Sequence, residues 1–191
     1  MLTEPILVTL LVVETLDKLK IPYFIGGSLA TAIHGVARAT MDVDLVADIQ
    51  SHQIQSLIRS LGDEFFTDEQ MIQNSVSKGI SFNIVHKETV FKVDIFPSKA
   101  RSFDRSQFER RVAYTLSDES KQKAYIASPE DNILSKLEWY RMGGEVSDRQ
   151  WQDVLNVLKI QGDGIDKAYL EIWAVELGVP DLLSRALEEV N

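Results

Sequence analysis

Three aspartates are the residues of this chain whose types and spacing are best suited to catalysis or metal binding. Asp42 and Asp44 lie in the segment Asp-Val-Asp-Leu-Val-Ala, in which polar and aliphatic residues alternate and predict a strand. Because the side chains of a strand alternate between its two faces, both carboxylates fall on one face. Two carboxylates about 4 Å apart repel by about 4 kcal/mol at an effective dielectric constant of 20, so solvent, a basic side chain or a divalent cation must neutralise them.

The third carboxylate, Asp94, lies between two aliphatic residues on another predicted strand. Three aspartates that converge from two strands form an all-oxygen site of the kind that suits Mg²⁺. Two Mg²⁺ ions about 3.5–4 Å apart could bridge an attacking oxygen and a leaving phosphate. A solvated strand face is the alternative interpretation of the Asp-x-Asp pair.

A glycine pair followed by serine, at Gly26, Gly27 and Ser28, is the second chemical feature. A predicted strand enters the pair and a predicted helix follows it, so that N–H groups at the helix N-terminus can face a phosphate. Glycine allows the phosphate to approach closely, and Ser28 adds a hydroxyl donor. The P-loop pattern Gly-Lys-Ser/Thr does not follow the glycines, and a plain turn is the alternative interpretation.

The order and spacing of these features resemble the nucleotidyltransferase superfamily that includes DNA polymerase beta. The stretch from Gly26 to Asp44, with Arg38 and Thr40 inside it, is more closely similar to small bacterial enzymes of the AbiEii and MNT types. Many members of that group are toxin–antitoxin components. The resemblance is strong over residues 20–97 and weaker over residues 126–160.

The resemblance implies a fold, an activity and roles for the motif residues. The implied α+β fold is a short mixed β-sheet backed by helices, and the implied reaction moves a nucleoside monophosphate from an NTP to an acceptor hydroxyl. Asp42 and Asp44 would bind Mg²⁺, and Asp94 would complete a second metal site and help to deprotonate the acceptor. The glycine loop and Ser28 would contact the triphosphate.

Five further residues are predicted to bind nucleotide. Arg38 pairs with a phosphate or, alternatively, forms a structural ion pair with the aspartates, and Thr40 holds the loop in place. In similar proteins a helical lysine is followed by Arg-x-x-x-Asp, which Lys136, Arg149 and Asp153 match. Lys136 would reach the β- and γ-phosphates, and Asp153 would orient Lys136 or Arg149. An ordinary helix surface is the alternative for these three residues.

The elements that must position these residues divide the chain into two parts. Residues 1–126 are predicted to form the mixed catalytic domain, and residues 127–191 a C-terminal helical region packed on it. Helices are expected over 3–19, 29–34, 68–77, 129–141, 147–160, 165–177 and 180–190, and a further one begins at residue 49 or 54 and ends at Gly62. Strands are expected over 23–25, 42–47, 80–85 and 90–96, with short ones near 112–116 and 124–126 inside an irregular polar stretch over 98–128.

The charge balance limits the classes of partner. The chain of 191 residues has 20 basic and 29 acidic residues, for a net charge of −9. An acidic chain repels phosphate backbones, so a DNA-coating protein is not expected. A local basic stretch contains Lys99, Arg101, Arg105, Arg110 and Arg111. It could receive the end of a tRNA, or it is a solvated loop with local ion pairs.

Composition predicts a cytoplasmic protein without a membrane span. Cysteine is absent, which excludes disulfides and cysteine-bound metals. The longest apolar stretch, over residues 6–13, is too short to cross a bilayer, and no signal peptide is expected.

Two functional hypotheses follow. The first is a Mg²⁺-dependent nucleotidyltransferase acting on an RNA end, a protein or a small molecule such as an aminoglycoside, with an antitoxin-like protein as a further expected partner. The second is a catalytically silent module of the same fold that binds a nucleotide or a protein partner.

Overall fold

The computed structural model describes residues 4–37, 40, 42–116 and 122–190. It has the mixed α+β architecture that the sequence predicts. None of its helices, in the part of the chain described, has the length and apolar character needed to cross a bilayer. The helices are α1 (Glu4–Lys18), α2 (Gly27–His34), α3 (Ile54–Leu61), α4 (Glu69–Lys78), α5 (Ser102–Arg110), α6 (Pro129–Met142), α7 (Asp148–Gln161), α8 (Lys167–Glu176) and α9 (Pro180–Val190). The strands are β1 (Tyr23–Ile25), β2 (Asp42–Ala47), β3 (Phe65–Phe66), β4 (Phe82–His86), β5 (Lys92–Pro97), β6 (Val112–Thr115) and β7 (Lys123–Ile126).

The chain divides into two compact units. Unit 1 comprises Met1–Gly26 and Thr40–Ile126, and unit 2 comprises Gly27–Ala39 and Ala127–Asn191. The sequence places the division after residue 126 but assigns Gly27–Ala39 to the first part. These residues group with the C-terminal helices because α2 packs against α6 and α7. The catalytic assignment of residues 1–126 remains a prediction.

Unit 1 is built on a mixed seven-stranded sheet in the order β3-β4-β5-β2-β1-β7-β6. At its centre, β2 pairs antiparallel with β1 and parallel with β5. The register between β2 and β5 places Asp44 directly beside Asp94 and Asp42 beside Lys92. The sheet therefore brings together carboxylates that lie 50 residues apart in the sequence.

The two faces of β2 and β5 differ in polarity. Val43, Leu45, Val93 and Ile95 are at most 1% exposed and form the core face. The α1 helix packs against β2, and α4 packs against β4. The alternate residues of β2 and β5, which include the aspartates, are only partly buried. This alternation fixes the register, because a one-residue slip would bury the carboxylates.

The polar stretch over residues 98–128 contains a helix that the sequence prediction missed. Instead of irregular chain, residues Ser102–Arg110 form α5. Its buried residues are Phe103, Asp104 and Gln107, of which two are polar. A helix that buries polar side chains lacks the apolar periodicity by which helices are recognised in a sequence.

Unit 2 is helical, and side-chain caps define where three of its helices begin. The Ser128 hydroxyl accepts a hydrogen bond from the Asp131 N–H, and Pro129 occupies the first turn of α6. Ser147 and Asp166 cap α7 and α8 in the same way. Capping of this kind satisfies N–H groups that have no partner within the helix. The helix starts predicted after residue 128 are therefore confirmed to within two residues.

Three hydrogen bonds hold α2 against the C-terminal helices. The Asn132 amide donates to the Thr31 hydroxyl at 2.9 Å in a buried position. The Nε2 atom of His34 donates to the carbonyl oxygen of Ala127 at 2.7 Å. The Gln161 amide donates to the carbonyl oxygen of His34, also at 2.7 Å. These bonds join segments more than 90 residues apart in the sequence.

His34 makes the stability of unit 2 sensitive to pH. Burial lowers the pKa of His34 below its ordinary value of 6.5, although the bond to Ala127 and the charge of Glu130 act in the opposite direction. The unfolded chain therefore binds the proton more readily, and the contribution of neutral His34 declines as the pH falls below about 6.5. The test is urea unfolding of the natural chain and of His34→Gln at about pH 7.5 and about pH 5.5. We expect the free energy of unfolding of the natural chain, minus that of His34→Gln, to be smaller at the lower pH. A difference that stays constant or grows would contradict this.

Candidate active site

The carboxylate row comprises Asp42, Asp44 and Asp94. All three side chains lie at the partly buried positions of β2 and β5. Adjacent strands are about 4.8 Å apart, and alternate residues of one strand are about 6.6 Å apart. The register between β2 and β5 therefore gathers the three predicted metal ligands within a short span on one face of the sheet.

Gly26 lies next to this row. Its N–H donates to the carbonyl oxygen of Asp44 at 2.9 Å, which continues the pairing of β1 with β2 by one residue. A Cβ atom added at Gly26 would meet no other atom within 4 Å. Gly26 thus keeps open a space beside Asp44 that a ligand could enter.

Lys92 is a basic residue that contacts the carboxylate row. Its Nζ lies 2.8 Å from Oδ2 of Asp94, and the two side chains are 42% and 20% exposed. The hydrogen bond to Asp94 raises the pKa of Lys92, and the charges of Asp94, Asp42 and Asp44 raise it further, against an opposing effect of burial. The ammonium group therefore neutralises part of the negative charge on this face.

Sequence reasoning missed Lys92 and Asn83 as neighbours of the row. Lys92 precedes Asp94 by two residues, so the alternation used for Asp42 and Asp44 could have placed it on the same face. Asn83 lies on β4 directly beside Asp94 and is exposed. Its proximity depends on the pairing of β4 with β5, which sequence spacing alone does not specify.

Thr40 fixes the chain just before β2. Its hydroxyl donates to the carbonyl oxygen of Asp42 at 2.8 Å and lies 3.2 Å from Oδ1 of the same residue. This contact restrains the first carboxylate of the row. Arg38, the other residue predicted in this loop, lies outside the described residues.

Gly27 and Ser28 form the first turn of α2. Gly27 has a φ of 54°, a conformation that glycine adopts at little cost. Helix N-termini present N–H groups and a partial positive charge, and α2 has no acidic residue in its first turn. This turn has N–H donors and no acidic residue, and phosphate binding by Gly27 and Ser28 remains a prediction.

Lys136 and Asp153 form a buried ion pair in unit 2. The Nζ atom of Lys136 donates to Oδ2 of Asp153 at 2.9 Å, and the two side chains are 10% and 5% exposed. Asp153 thus holds Lys136 in one orientation between α6 and α7. Arg149, one turn earlier on α7, is exposed. The structure brings together two of these three predicted residues.

The basic stretch after β5 is largely engaged in local contacts. Arg101 makes two hydrogen bonds of 3.0 Å to the carboxylate of Asp104. Arg105 donates to the carbonyl oxygen of Ala100 at 2.7 Å. The guanidinium of Arg111 lies 4.6 Å from the ring centre of Tyr125. One of these contacts is an ion pair, and recognition of a tRNA end remains a prediction.

The donor chemistry of the carboxylate row fits a divalent metal ion. Carboxylate oxygens are the ligands that Mg²⁺ prefers, and a positively charged group already contacts one of them. In the part of the chain that the structure describes, however, no three histidine, aspartate or glutamate side chains are gathered closely enough to hold a metal ion. A metal ion on this face would need the carboxylate oxygens to come closer together than they are here.

The sequence matches a family profile. The profile is described as "Nucleotidyltransferase of unknown function (DUF6036)", and it matches residues 7–167. That span contains the carboxylate row, the glycine loop and the Lys136–Asp153 pair. A comparison with curated proteins found no match.

Three solved structures are similar to this chain. An antigenic nucleotidyltransferase-like protein from Paracoccidioides brasiliensis is 19% identical, with a TM-score of 0.60 over 97% of this chain and 92% of that chain. The lincomycin-bound lincosamide antibiotic adenylyltransferase LnuA is 16% identical, with a TM-score of 0.51 over 83% and 98%. ANT(2")-Ia in complex with adenylyl-2"-tobramycin is 11% identical, with a TM-score of 0.55 over 92% and 97%. At these identities the likeness establishes the fold alone.

Proposed function

Because the chain belongs to the DUF6036 family of nucleotidyltransferases, we propose that it is an active, Mg²⁺-dependent member. It moves a nucleoside monophosphate from an NTP to an acceptor hydroxyl and releases pyrophosphate. The observation that carries this proposal is the pairing of Asp44 with Asp94 on one side and Gly26 on the other. Metal-ligating carboxylates and a space for phosphate are both needed for this reaction.

Each residue of the row has a role in this proposal. Asp42 and Asp44 would hold Mg²⁺, and Asp94 would complete a second metal site. Bound Mg²⁺ would neutralise charge on the triphosphate and make the acceptor hydroxyl more acidic. Asp94 would also accept the proton of that hydroxyl as its oxygen forms a bond to the α-phosphorus and the bond to pyrophosphate breaks. Thr40 would restrain Asp42 through the contact already described.

Gly27 and Ser28 are the proposed triphosphate contacts in the first turn of α2. Their N–H groups and the Ser28 hydroxyl would donate to phosphate oxygens. Because residue 27 is glycine, the chain adopts the positive φ at the start of this turn without strain. Phosphate contacts by Arg38, Lys136 and Arg149 remain predictions from the sequence.

The acceptor that we propose is the hydroxyl of a cationic small molecule. The net charge of −9 attracts cations and repels polyanions at long range. Two of the similar structures are named as an adenylyltransferase of a lincosamide antibiotic and a complex with an adenylylated tobramycin. An RNA end or a protein is the competing class of acceptor. An AbiEii or MNT relationship and a toxin–antitoxin role remain predictions from the sequence.

A label-transfer assay tests the proposal. The protein is incubated with Mg²⁺, each of four α-labelled NTPs and one acceptor class at a time: aminoglycosides, lincosamides, tRNA, or the protein fraction of a cell lysate. We expect label in a cationic small molecule, dependent on Asp44. Label in tRNA or protein would support the transferase activity but show that the proposed class of acceptor is wrong. If Asp44-dependent label appears in no fraction, including a desalted whole lysate, the silent-module hypothesis is favoured.

Gly26→Ala is expected to weaken nucleotide binding without destabilising the fold. The added methyl group would meet no neighbour within 4 Å, so we expect the free energy of unfolding to change by less than about 1 kcal/mol. The methyl group would fill the space beside Asp44, and we expect nucleotide affinity, measured by calorimetry, to fall about tenfold. Gly164→Ala is the matched control, since a Cβ there also meets nothing within 4 Å. Equal nucleotide affinity in the two variants would contradict a role for Gly26.

A further inference from the structure

A lysine side chain of this chain, Lys92, lies against the carboxylate row and supplies a positive charge. Lys92 and Asp94 are alternate residues of β5, so their side chains share one face of the strand. The ammonium nitrogen of Lys92 lies 2.8 Å from a carboxylate oxygen of Asp94. A charge-assisted hydrogen bond of this length uses an oxygen that a metal ion would also use.

The position of Lys92 in the sheet extends its influence beyond Asp94. The register of β5 against β2 places Lys92 directly beside Asp42, while Asp94 is beside Asp44. Its ammonium group therefore lies in the combined field of all three carboxylates, each of which raises the pKa of Lys92. One positive charge thus offsets part of the repulsion within the row.

Lys92 can leave this position when a stronger cation arrives. Its side chain is 42% exposed, and a lysine ammonium is a hydrated charge on a flexible stem. A divalent cation that binds Asp94 removes one acceptor of the ammonium group and repels its charge. Metal binding and the Lys92–Asp94 ion pair therefore oppose each other.

We propose that Lys92 is a built-in counter-cation of the carboxylate row and that divalent metal binding displaces it from Asp94. This inference rests on the proposed function, because it requires the row to bind metal. Lys92 acts here as a positioning residue that sets the apparent metal affinity. It also limits repulsion among the carboxylates while no metal is bound.

Mn²⁺ binding to Lys92→Met tests the displacement. Free Mn²⁺ is measured by electron paramagnetic resonance during titration of the natural chain, Lys92→Met and Lys18→Met. Lys18 is the matched control, because it also lies 2.8 Å from a carboxylate, that of Glu14, and its loss changes the net charge equally. We expect Lys92→Met to bind Mn²⁺ about tenfold more tightly, since a fixed charge no longer opposes the ion. We expect Lys18→Met to match the natural chain.

The outcomes separate this inference from the proposed function. If the natural chain binds Mn²⁺ and Asp44→Asn does not, the metal site is supported. If Lys92→Met then binds Mn²⁺ no more tightly than the natural chain, the displacement of Lys92 is overturned while the metal site stands. Failure of the natural chain and of Lys92→Met to bind Mn²⁺ would overturn the metal site and the inference with it.

A second measurement does not depend on how well a Lys92 variant folds. In the natural chain labelled with ¹⁵N-lysine, the ammonium signals are recorded during titration with Mg²⁺. We expect the Lys92 signal to move as the ion pair with Asp94 breaks, while the Lys18 signal stays in place. Mg²⁺ binding that leaves the Lys92 signal unchanged would overturn the inference.

Discussion

Asp44→Asn is expected to lower the rate of nucleotidyl transfer by about 10³-fold, corresponding to about 4 kcal/mol of transition-state stabilisation. The amide keeps the shape of the side chain but removes a charge from the centre of the carboxylate row. Asp44 is central because it lies beside both Asp94 and Gly26. The measurement is the initial rate of pyrophosphate release with Mg²⁺, NTP and the acceptor found in the label-transfer assay.

The same substitution should leave the fold intact. The carbonyl oxygen that binds Gly26 belongs to the backbone and is unchanged. Removing one of three like charges relieves repulsion, so the free energy of unfolding is expected to stay within about 0.5 kcal/mol or to rise. Asp48→Asn is the control, because Asp48 is an exposed carboxylate just after β2. Equal losses of rate in the two variants, or unfolding of Asp44→Asn, would contradict the proposed role.

Asp153→Ala is expected to destabilise the protein by about 3–5 kcal/mol, the usual cost of leaving a buried charge without its partner. The Lys136 side chain is only 10% exposed and its ammonium lies 2.9 Å from Asp153. Loss of the carboxylate leaves this ammonium between α6 and α7 with its main countercharge gone. Urea unfolding at neutral pH measures the change.

A double variant and a surface variant provide the controls. In Lys136→Met/Asp153→Leu both charges are replaced by apolar groups of similar size, and most of the lost stability should return. Arg149→Gln removes an exposed charge on the same helix and should change stability by less than about 0.5 kcal/mol. A loss below about 1 kcal/mol in Asp153→Ala would show that the pair is not needed for folding. A triphosphate-binding role would then be favoured for Lys136.

The sequence predicted the local structure around the carboxylates well, because strong local patterns encode it. Alternation of Asp and aliphatic residues identified β2, and the short apolar run before Gly26 identified β1. Capping residues and Pro129 located the start of α6. Each of these patterns is complete within a few residues of chain.

Pairings between distant parts of the chain were predicted only in outline: the three aspartates were expected to share one site, and Asp153 was expected to orient Lys136 or Arg149. The sequence does not show that β2 pairs with β5 in the register that aligns Asp44 with Asp94. Nor does it show that Lys136 and Asp153, 17 residues apart, form a buried pair. These contacts arise from sheet order and helix packing, which depend on the whole core rather than on local spacing.

Two local elements were missed because their patterns are weak. The α5 helix buries Asp104 and Gln107, so its inner face is partly polar and resembles a loop in the sequence. The β3 strand comprises only Phe65 and Phe66, too short to show any alternation.

The grouping of α2 with the C-terminal helices was missed for a different reason. It depends on long-range hydrogen bonds such as that from Asn132 to Thr31.

The most direct measurement is a crystal structure of the protein with Mn²⁺ and a non-hydrolysable NTP analogue, with the Mn²⁺ ions located by anomalous scattering. We expect anomalous peaks about 2.0–2.3 Å from carboxylate oxygens of Asp42, Asp44 and Asp94, with the triphosphate beside Gly26. Mn²⁺ and nucleotide bound together elsewhere, with the three aspartates contacting neither, would contradict the assignment of the carboxylate row as the catalytic centre.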